Sequence, residues 1–293
     1  MTIEIGGSAL RAEVVDKVIK QTAAQTYKFK QACTIATTAA WKDYFYRETS
    51  AVLNPLVGGS TASASKLLPR GANFPQATPS WEKVMTAQEK YGIEDNIFWE
   101  DILTDDIDVQ ARVMFKLGQK IAKDVDDEIW DTLTESRTPV LINSFLIDEA
   151  DGWNGTSGAI IDDLLHAAQL IAEDNYDTTS LMAFISPADR RYVSAYLASK
   201  GAQFPSIGEK IAENGYVGRV AGVDLVVSNS VTTSYALVCV PKICATWRAA
   251  VPLTTNTTVD PFKSVRIRVV EMGITQMTDP NALCLIKGTQ GPY

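Results

Sequence analysis

The side chains best suited to chemistry in this 293-residue chain are one histidine, four cysteines and two acidic runs, and their spacing builds no catalytic centre. One imidazole, His166, cannot assemble a multi-histidine metal site, and its place beside the inward face of a helical pattern gives it a structural role. Cys33, Cys239, Cys244 and Cys284 contain no C-x-x-C pair, so neither a zinc knuckle nor a disulfide framework is indicated, and reduced, buried thiols are expected. Glu94, Asp95, Glu100 and Asp101 form one acidic run; Asp124, Asp126 and Asp127 form another. Carboxylates one or two positions apart on a strand or helix point in different directions, so both runs read as solvated faces or subunit contacts. Arg190 and Arg191 have the chemistry to hold a phosphate, but beside Asp189 on a helix they read as a salt-bridged surface. Trp41, Tyr44 and Tyr46 could stack on bases, although core or interface packing accounts for them more simply. The sequence contains no G-x-S-x-G elbow, Walker loop or G-x-G-x-x-G fingerprint. No cofactor or metal is therefore expected.

The balance of the whole chain points the same way. Acids outnumber bases 35 to 27, a net charge of -8. Coating nucleic acid requires clustered Lys and Arg, so tight direct binding is not expected. Hydrophobic residues at 46% and charged residues at 21% suit a folded chain with a large core rather than a disordered one. The opening MTIEIGGSALRAEVVDKVIK has no continuous apolar stretch and reads as neither a secretory signal nor a membrane anchor, so synthesis and folding are expected in the cytosol.

The elements that would position these residues are unusual in proportion. From Trp81 a strand-like, acid-rich lead-in, WEKVMTAQEKYGIEDNIFWEDIL, runs into DDIDVQARVMFKLGQKIAKDVDDEIWDTL. There Met114, Leu117, Ile121, Val125, Ile129 and Leu133 keep one apolar stripe on one face of a long helix. Asp105 is placed to cap its start, with Asp106 and Asp108 in the first turn. Upstream, a helix is expected from Ser8 to Gln25, then a half-exposed strand in WKDYFYRET. VGGSTASASKLLPRGANFPQATPS, from Val57 to Ser80, is rich in Gly, Ser, Ala and Pro and reads as an extended arm reaching away from the core. Downstream lie a short strand in VLINSFLI and a helix in IIDDLLHAAQLIAED with Ile161, Leu164, Leu165, Ala168 and Ile171 inward. A buried strand LMAFIS and a helix from Pro187 follow. Two strands are read in GRVAGVDLVVSNSV and YALVCVPKICATW, and two more β segments flank the Asp279-Pro280 turn.

In this order the parts resemble the major capsid proteins of tailed viruses, the Hong Kong 97 fold. The resemblance is carried by RGANFPQATPSWEKV, YGIEDNIFWEDILTDD, ISPADRRYVSAYLASKG, YVGRVAGVDLVVSNSV, YALVCVPK and RIRVVEMGITQMTDPNALCLIKGT, from about residue 40 to the end. It implies an α+β fold with an N-terminal arm at 1–40 and an extended loop at 41–84. A peripheral domain at 85–158 and 252–293 would carry the spine helix, and an axial domain would occupy 159–251. It also implies a non-enzymatic subunit that self-assembles into the pentamers and hexamers of an icosahedral virion shell enclosing double-stranded DNA. Assembly would take place in the host cytoplasm with a portal, a separate scaffolding protein, a decoration protein and no membrane. No long helical segment precedes the arm here, so the resemblance implies a separate scaffolding protein, or none, in place of a fused one. Candidate contacts between subunits are Lys66, Arg70, Trp81, Glu94, Asp95, Glu100, Asp101, Arg190 and Arg191, with Arg70 meeting a neighbour's acidic surface at Glu94 to Asp101. Lys66 lies where some relatives place a crosslinking lysine, but no surrounding motif carries the crosslink over. Two other readings stay open: an encapsulin-like nanocompartment shell, and a cytosolic α/β enzyme, which would need a polar pocket that the motifs do not supply.

Overall fold

The computed structural model describes residues 12–48, 70, 81–104, 109–137, 140–148, 151–155, 158–199 and 218–290. Its helices are α1 (Ala12–Thr26), α2 (Trp99–Leu103), α3 (Val109–Leu133), α4 (Ile160–Glu173) and α5 (Pro187–Ser199). Its strands are β1 (Thr34–Thr37), β2 (Lys42–Glu48), β3 (Trp81–Ala87), β4 (Glu89–Phe98), β5 (Asn143–Leu146) and β6 (Leu181–Ile185), followed by β7 (Arg219–Val220), β8 (Val223–Val227), β9 (Tyr235–Cys239), β10 (Ala245–Asp260), β11 (Ser264–Met277) and β12 (Leu283–Lys287). Three sheets result: β1-β10-β11-β4, β5-β12-β9-β6-β8-β7, and the ribbon β2-β3.

The spine helix α3 joins two cores. Met114, Leu117, Ile121, Val125, Ile129 and Leu133 are all buried, as their spacing requires. Each such side chain withdrawn from water contributes about 1.5–3 kcal/mol before chain entropy is set against it. Beside them runs a second buried row at steps of four: Gly118, Ala122, Asp126 and Trp130. The first half of α3 packs with Val15 and Ile19 of α1 and with Ile97, Val265, Ile267 and Val269 of the four-stranded sheet. The second half joins Phe29, Leu164, Phe184, Leu237 and Leu285 around the six-stranded sheet. Gly118 sets how closely α1 approaches, since a Cβ there would lie 3.1 Å from the Ile19 carbonyl and 3.2 Å from the Thr22 Cβ. A mid-helix glycine costs about 1 kcal/mol in propensity, which this close packing offsets.

Several expectations change. Residues 12–37, counted within the N-terminal arm, are built into the subunit: α1 lies on α3, and β1 pairs in parallel with β10. The lead-in ends in helix, because WEDIL closes a turn as α2. The capping positions Asp105, Asp106 and Asp108, and the expected arm at 57–80 apart from Arg70, Lys66 included, lie outside the described residues. YALVCVPKICATW is not one strand; β9 ends at Cys239 and a turn leads into β10, which continues to Asp260. Pro252 in that strand sits where the register with β11 shifts, between Val251 and Thr254, a bulge that tolerates a residue lacking an N–H. In α4 the buried residues are Ile160, Leu164, Ala167 and Ile171, while Leu165 is 49% exposed, so the inward face is turned from the expected one. β5 and β12, expected in the peripheral division, pair within the six-stranded sheet, and β10 runs through the boundary expected at 251. Among the described residues no helix is long and apolar enough to cross a membrane.

Candidate assembly surfaces

The ribbon β2-β3 has two unlike faces. Pairing of Tyr44 with Met85, Tyr46 with Lys83 and Glu48 with Trp81 sets Tyr44, Tyr46, Trp81 and Met85 on one side, each more than half exposed. The Lys83 ammonium lies over the Tyr44 ring at 4.5 Å. The other side fastens the ribbon to the subunit. Phe45 is buried there, Asp43 meets Arg248 of β10 at 3.3 Å and the Gln276 amide donates to the Thr86 hydroxyl at 3.2 Å, while Arg47 pairs with Glu82 across the ribbon itself at 2.6 Å. A two-stranded ribbon with an uncovered aromatic face is marginal in water and open to pairing with another chain. The chain between the two strands, residues 49–80, leaves the ribbon at Glu48 and returns to it at Trp81.

The first acidic run is exposed throughout. Glu94 pairs with Arg268 across the strands at 2.6 Å, and the arginine beside it holds its carboxyl below the usual range. Asp95 accepts the N–H of Asn96 at 2.8 Å, and Glu100 and Asp101 stand side by side in the first turn of α2. In the second run Asp124 pairs with Lys120, and Asp127 lies 3.9 Å from Lys123. Asp126 departs from the solvated-face expectation. It is 2% exposed and accepts the backbone N–H groups of Lys28 at 2.7 Å and Phe29 at 3.2 Å, capping the short helical turn Phe29–Gln31 against α3. The signal for this was its place in the second row of α3, between Ala122 and Trp130. Nearby, Glu271 accepts from the Lys30 ammonium and the Tyr27 hydroxyl, both at 2.5 Å, so the junction of α1, α3 and β11 is a buried polar network.

Burial pushes the Asp126 carboxyl up to about 6, opposed by its two N–H bonds and by Lys30. Burial likewise raises Asp163, Asp189 and Glu128. Between the ordinary carboxylate range and about pH 6 the folded subunit therefore binds more protons than the unfolded chain, so stability falls as pH rises through that window. The melting temperature of the unassembled subunit should accordingly be higher at pH 5 than at pH 7. Asp126→Asn should remove a share of that slope worth about 1–3 kcal/mol. A melting profile over pH 4–8 with the same slope in both proteins would rule out Asp126 as its source.

The arginine pair also differs from expectation. Asp189 is fully buried and bonds with Ser186, Thr289 and Gln290 rather than with the neighbouring arginines. The Ser186 hydroxyl thus caps the start of α5, accepting the Asp189 N–H at 3.1 Å and donating to the Asp189 carboxylate at 2.8 Å. Arg190 and Arg191 are exposed, the latter donating to the Tyr192 hydroxyl at 2.9 Å. Arg70 is exposed. His166 is an exposed ring packed on Phe145 at 4.5 Å, not a residue beside the core. All four cysteines are buried and unbridged, and burial raises the Cys33 and Cys284 thiols, which keeps them unreactive. Among the described residues no group of His, Cys, Asp and Glu has the arrangement to hold a metal.

What the molecule offers, then, is surface: a stiff helix shared by two cores and a ribbon whose aromatic face its own subunit leaves uncovered. That is the construction of a structural protein made to be packed by neighbours. A family model for phage capsid proteins matches residues 81–286, and the chain belongs to that family. Its fold is the Hong Kong 97-like capsid fold, and its role is structural rather than enzymatic. Among solved structures it is similar to a protein of Mycobacterium phage Che8, with 14% identity, a TM-score of 0.63 and 85% of each chain covered. The capsid of cyanophage P-SCSP1u gives 14% identity and a TM-score of 0.63, over 89% of this chain and 88% of that one. The virus-like particle from Pyrococcus furiosus gives 10% identity and a TM-score of 0.60, over 94% of this chain and 98% of that one. No curated protein sequence matches the chain significantly.

Proposed function

We propose that this capsid protein is the repeating subunit of an icosahedral virion shell, arranged as pentamers and hexamers around double-stranded DNA that it encloses without binding tightly. The observation that carries the reading is the aromatic face of β2-β3, since an exposed apolar face of this kind calls for a neighbour to cover it. In this reading the four-stranded sheet with α1, α2 and α3 forms the peripheral domain, and the six-stranded sheet with α4 and α5 forms the axial one. The excess of acids over bases fits a container whose contents must slide. Assembly would occur in the host cytoplasm, with a portal, a decoration protein and a separate scaffolding protein as partners. A size-determination protein accompanies the satellite phage P4 procapsid, to which this chain is also similar in fold. Lys66, Arg70, Trp81, Asp95 and Arg191 are further candidate contacts. The likeness to the Pyrococcus furiosus virus-like particle keeps a nanocompartment shell as the second reading, and the contents of purified particles, DNA or protein, separate the two.

Removing two aromatic anchors from the ribbon tests the central observation. Tyr46→Ala with Trp81→Ala should raise the subunit concentration required for shell formation by about thirtyfold or more, the cost of losing buried aromatic hot spots. The melting temperature of the free subunit should barely move, because both side chains are largely exposed there. Sedimentation of wild type and variant over a concentration series reads the difference, and unchanged assembly would show that this face is not an interface.

A further inference from the structure

The charges of α3 are segregated along its length. From Arg112 to Lys123 every ionisable residue is a base, and from Asp124 to Asp131 every one is an acid. The helix buries Met114, Leu117 and Ile121 against the four-stranded sheet, so its period carries Arg112, Lys116, Gln119 and Lys123 to the opposite side, where all four are exposed. Lys120 and Lys123 are drawn to Asp124 and Asp127, the latter pair at 3.9 Å. Arg112 and Lys116 are not: among the described residues neither forms an ion pair. Each also meets a base four residues further along, Lys116 and Lys120, a like-charge arrangement that weakens a helix. Helix stability therefore does not account for the ridge. Beside it α1, which packs on α3 at Gly118, adds Lys17, exposed and likewise outside any ion pair among the described residues. The neighbouring Asp16 is taken by Lys20 and the Thr255 hydroxyl.

We propose that this ridge touches the phosphates of the enclosed duplex, with Arg112 and Lys116 as the contacts that α3 supplies. The inference rests on the shell reading and names the residues through which the subunit meets its contents. Phosphate contact of this kind needs cations on a convex surface and no pocket. The ridge from Arg112 to Lys123 runs about 16 Å, and a duplex carries one charge per about 1.7 Å of its axis. A protein partner fits less well, since a docked helix needs apolar anchors along the contact. The ridge residues are all polar, and Phe115, 48% exposed, stands at their flank. Two contacts from α3 also suit a container that holds DNA loosely. Counterion release from two phosphates makes their share of the affinity fall by about tenfold between about 50 and 200 mM salt, so no single subunit grips the duplex.

Binding of the unassembled subunit to a short fluorescent duplex, followed by anisotropy across a salt series, tests the contact. Arg112→Gln with Lys116→Gln should weaken binding about tenfold at about 50 mM salt and shrink the salt slope by about 2, with an unaltered melting temperature. Lys90→Gln with Arg266→Gln is the control, because both bases alternate to the face of the four-stranded sheet away from α3. It should change binding by less than about twofold. No binding by wild type at low salt, or an unchanged affinity in the α3 variant, overturns the contact. An equal loss in the control overturns it too, by making the effect one of net charge. Poly-L-glutamate bound more tightly than the duplex at the same salt would assign the ridge to an acidic protein, which also overturns it. In closed shells the ridge must face inward. The four native cysteines are buried, so Gln119→Cys places an accessible thiol on the ridge. A bulky polyethylene-glycol maleimide should modify that thiol in free subunits and not in intact shells, and equal reaction in both overturns the proposal. Wild-type chains that bind duplex through α3 but never assemble defeat the shell reading alone, whereas shells whose α3 variant binds duplex unchanged defeat the contact alone.

Discussion

Replacing residues 56–79 with a short Gly-Ser turn is expected to leave a soluble, cooperatively folded subunit and to abolish shell formation. The chain leaves the ribbon at Glu48 and returns at Trp81 on paired strands, so a shorter connection spans the same two ends. Closing a shorter loop changes stability by about 1 kcal/mol or less, because closure entropy varies only with the logarithm of loop length. The ribbon itself is held by Phe45, Asp43 and Arg47, none of which belongs to the replaced stretch. The subunit should therefore melt within a few degrees of wild type, at about 2–4 °C per kcal/mol for a chain of this size. In the proposed shell this segment is the arm by which one subunit reaches over the next, so assembly should fail. Closed particles of normal size from the shortened chain, or outright unfolding, would contradict this.

The second large effect is expected where β10 and β11 pair around Trp247. Gly273 pairs with Ala249 on one side and Glu89 on the other, and the Trp247 indole lies over it. A Cβ at position 273 would sit 2.4 Å from the ring, which is 1% exposed and held by Tyr91 and by Lys30 above it. Trp247→Ala should cost about 3–5 kcal/mol. Gly273→Ala should cost about 1–3 kcal/mol, since the ring cannot move aside without disturbing its neighbours. The two together should cost less than their sum, because the space vacated by the indole accepts the new methyl group. Denaturant unfolding of the unassembled subunits measures all three, away from the added stability that neighbours confer. Strict additivity would mean that the two residues do not constrain one another.

Sequence patterning revealed the elements whose side chains repeat and concealed those whose shape comes from elsewhere. The stripe from Met114 to Leu133 was legible because burial on a helix leaves a period. Ile185 and its neighbours in β6 were legible as an apolar run between a turn and Pro187. β10 was hidden beyond Trp247 because a proline at 252 interrupts a strand pattern; the bulge that accommodates it is a property of pairing with β11. Asp126 was hidden by its type, since a carboxylate among carboxylates reads as solvated until the N–H groups it caps are in place. Leu165 and Ala167 exchanged roles because a helix rich in apolar residues on two sides leaves its orientation to the sheet it packs on. The surfaces were less legible still. Tyr44, Tyr46 and Trp81 alternate along their strands, but only the register of β2 with β3 shows that they share one uncovered face.

Electron microscopy of the purified full-length chain, across a range of protein and salt concentrations, tests the central claim most directly. The account predicts closed icosahedral particles, or rings of five and six subunits, in wild-type protein, and their appearance only at about thirtyfold higher concentration when Tyr46 and Trp81 are replaced by alanine. A chain that stays a compact monomer under every condition would contradict it.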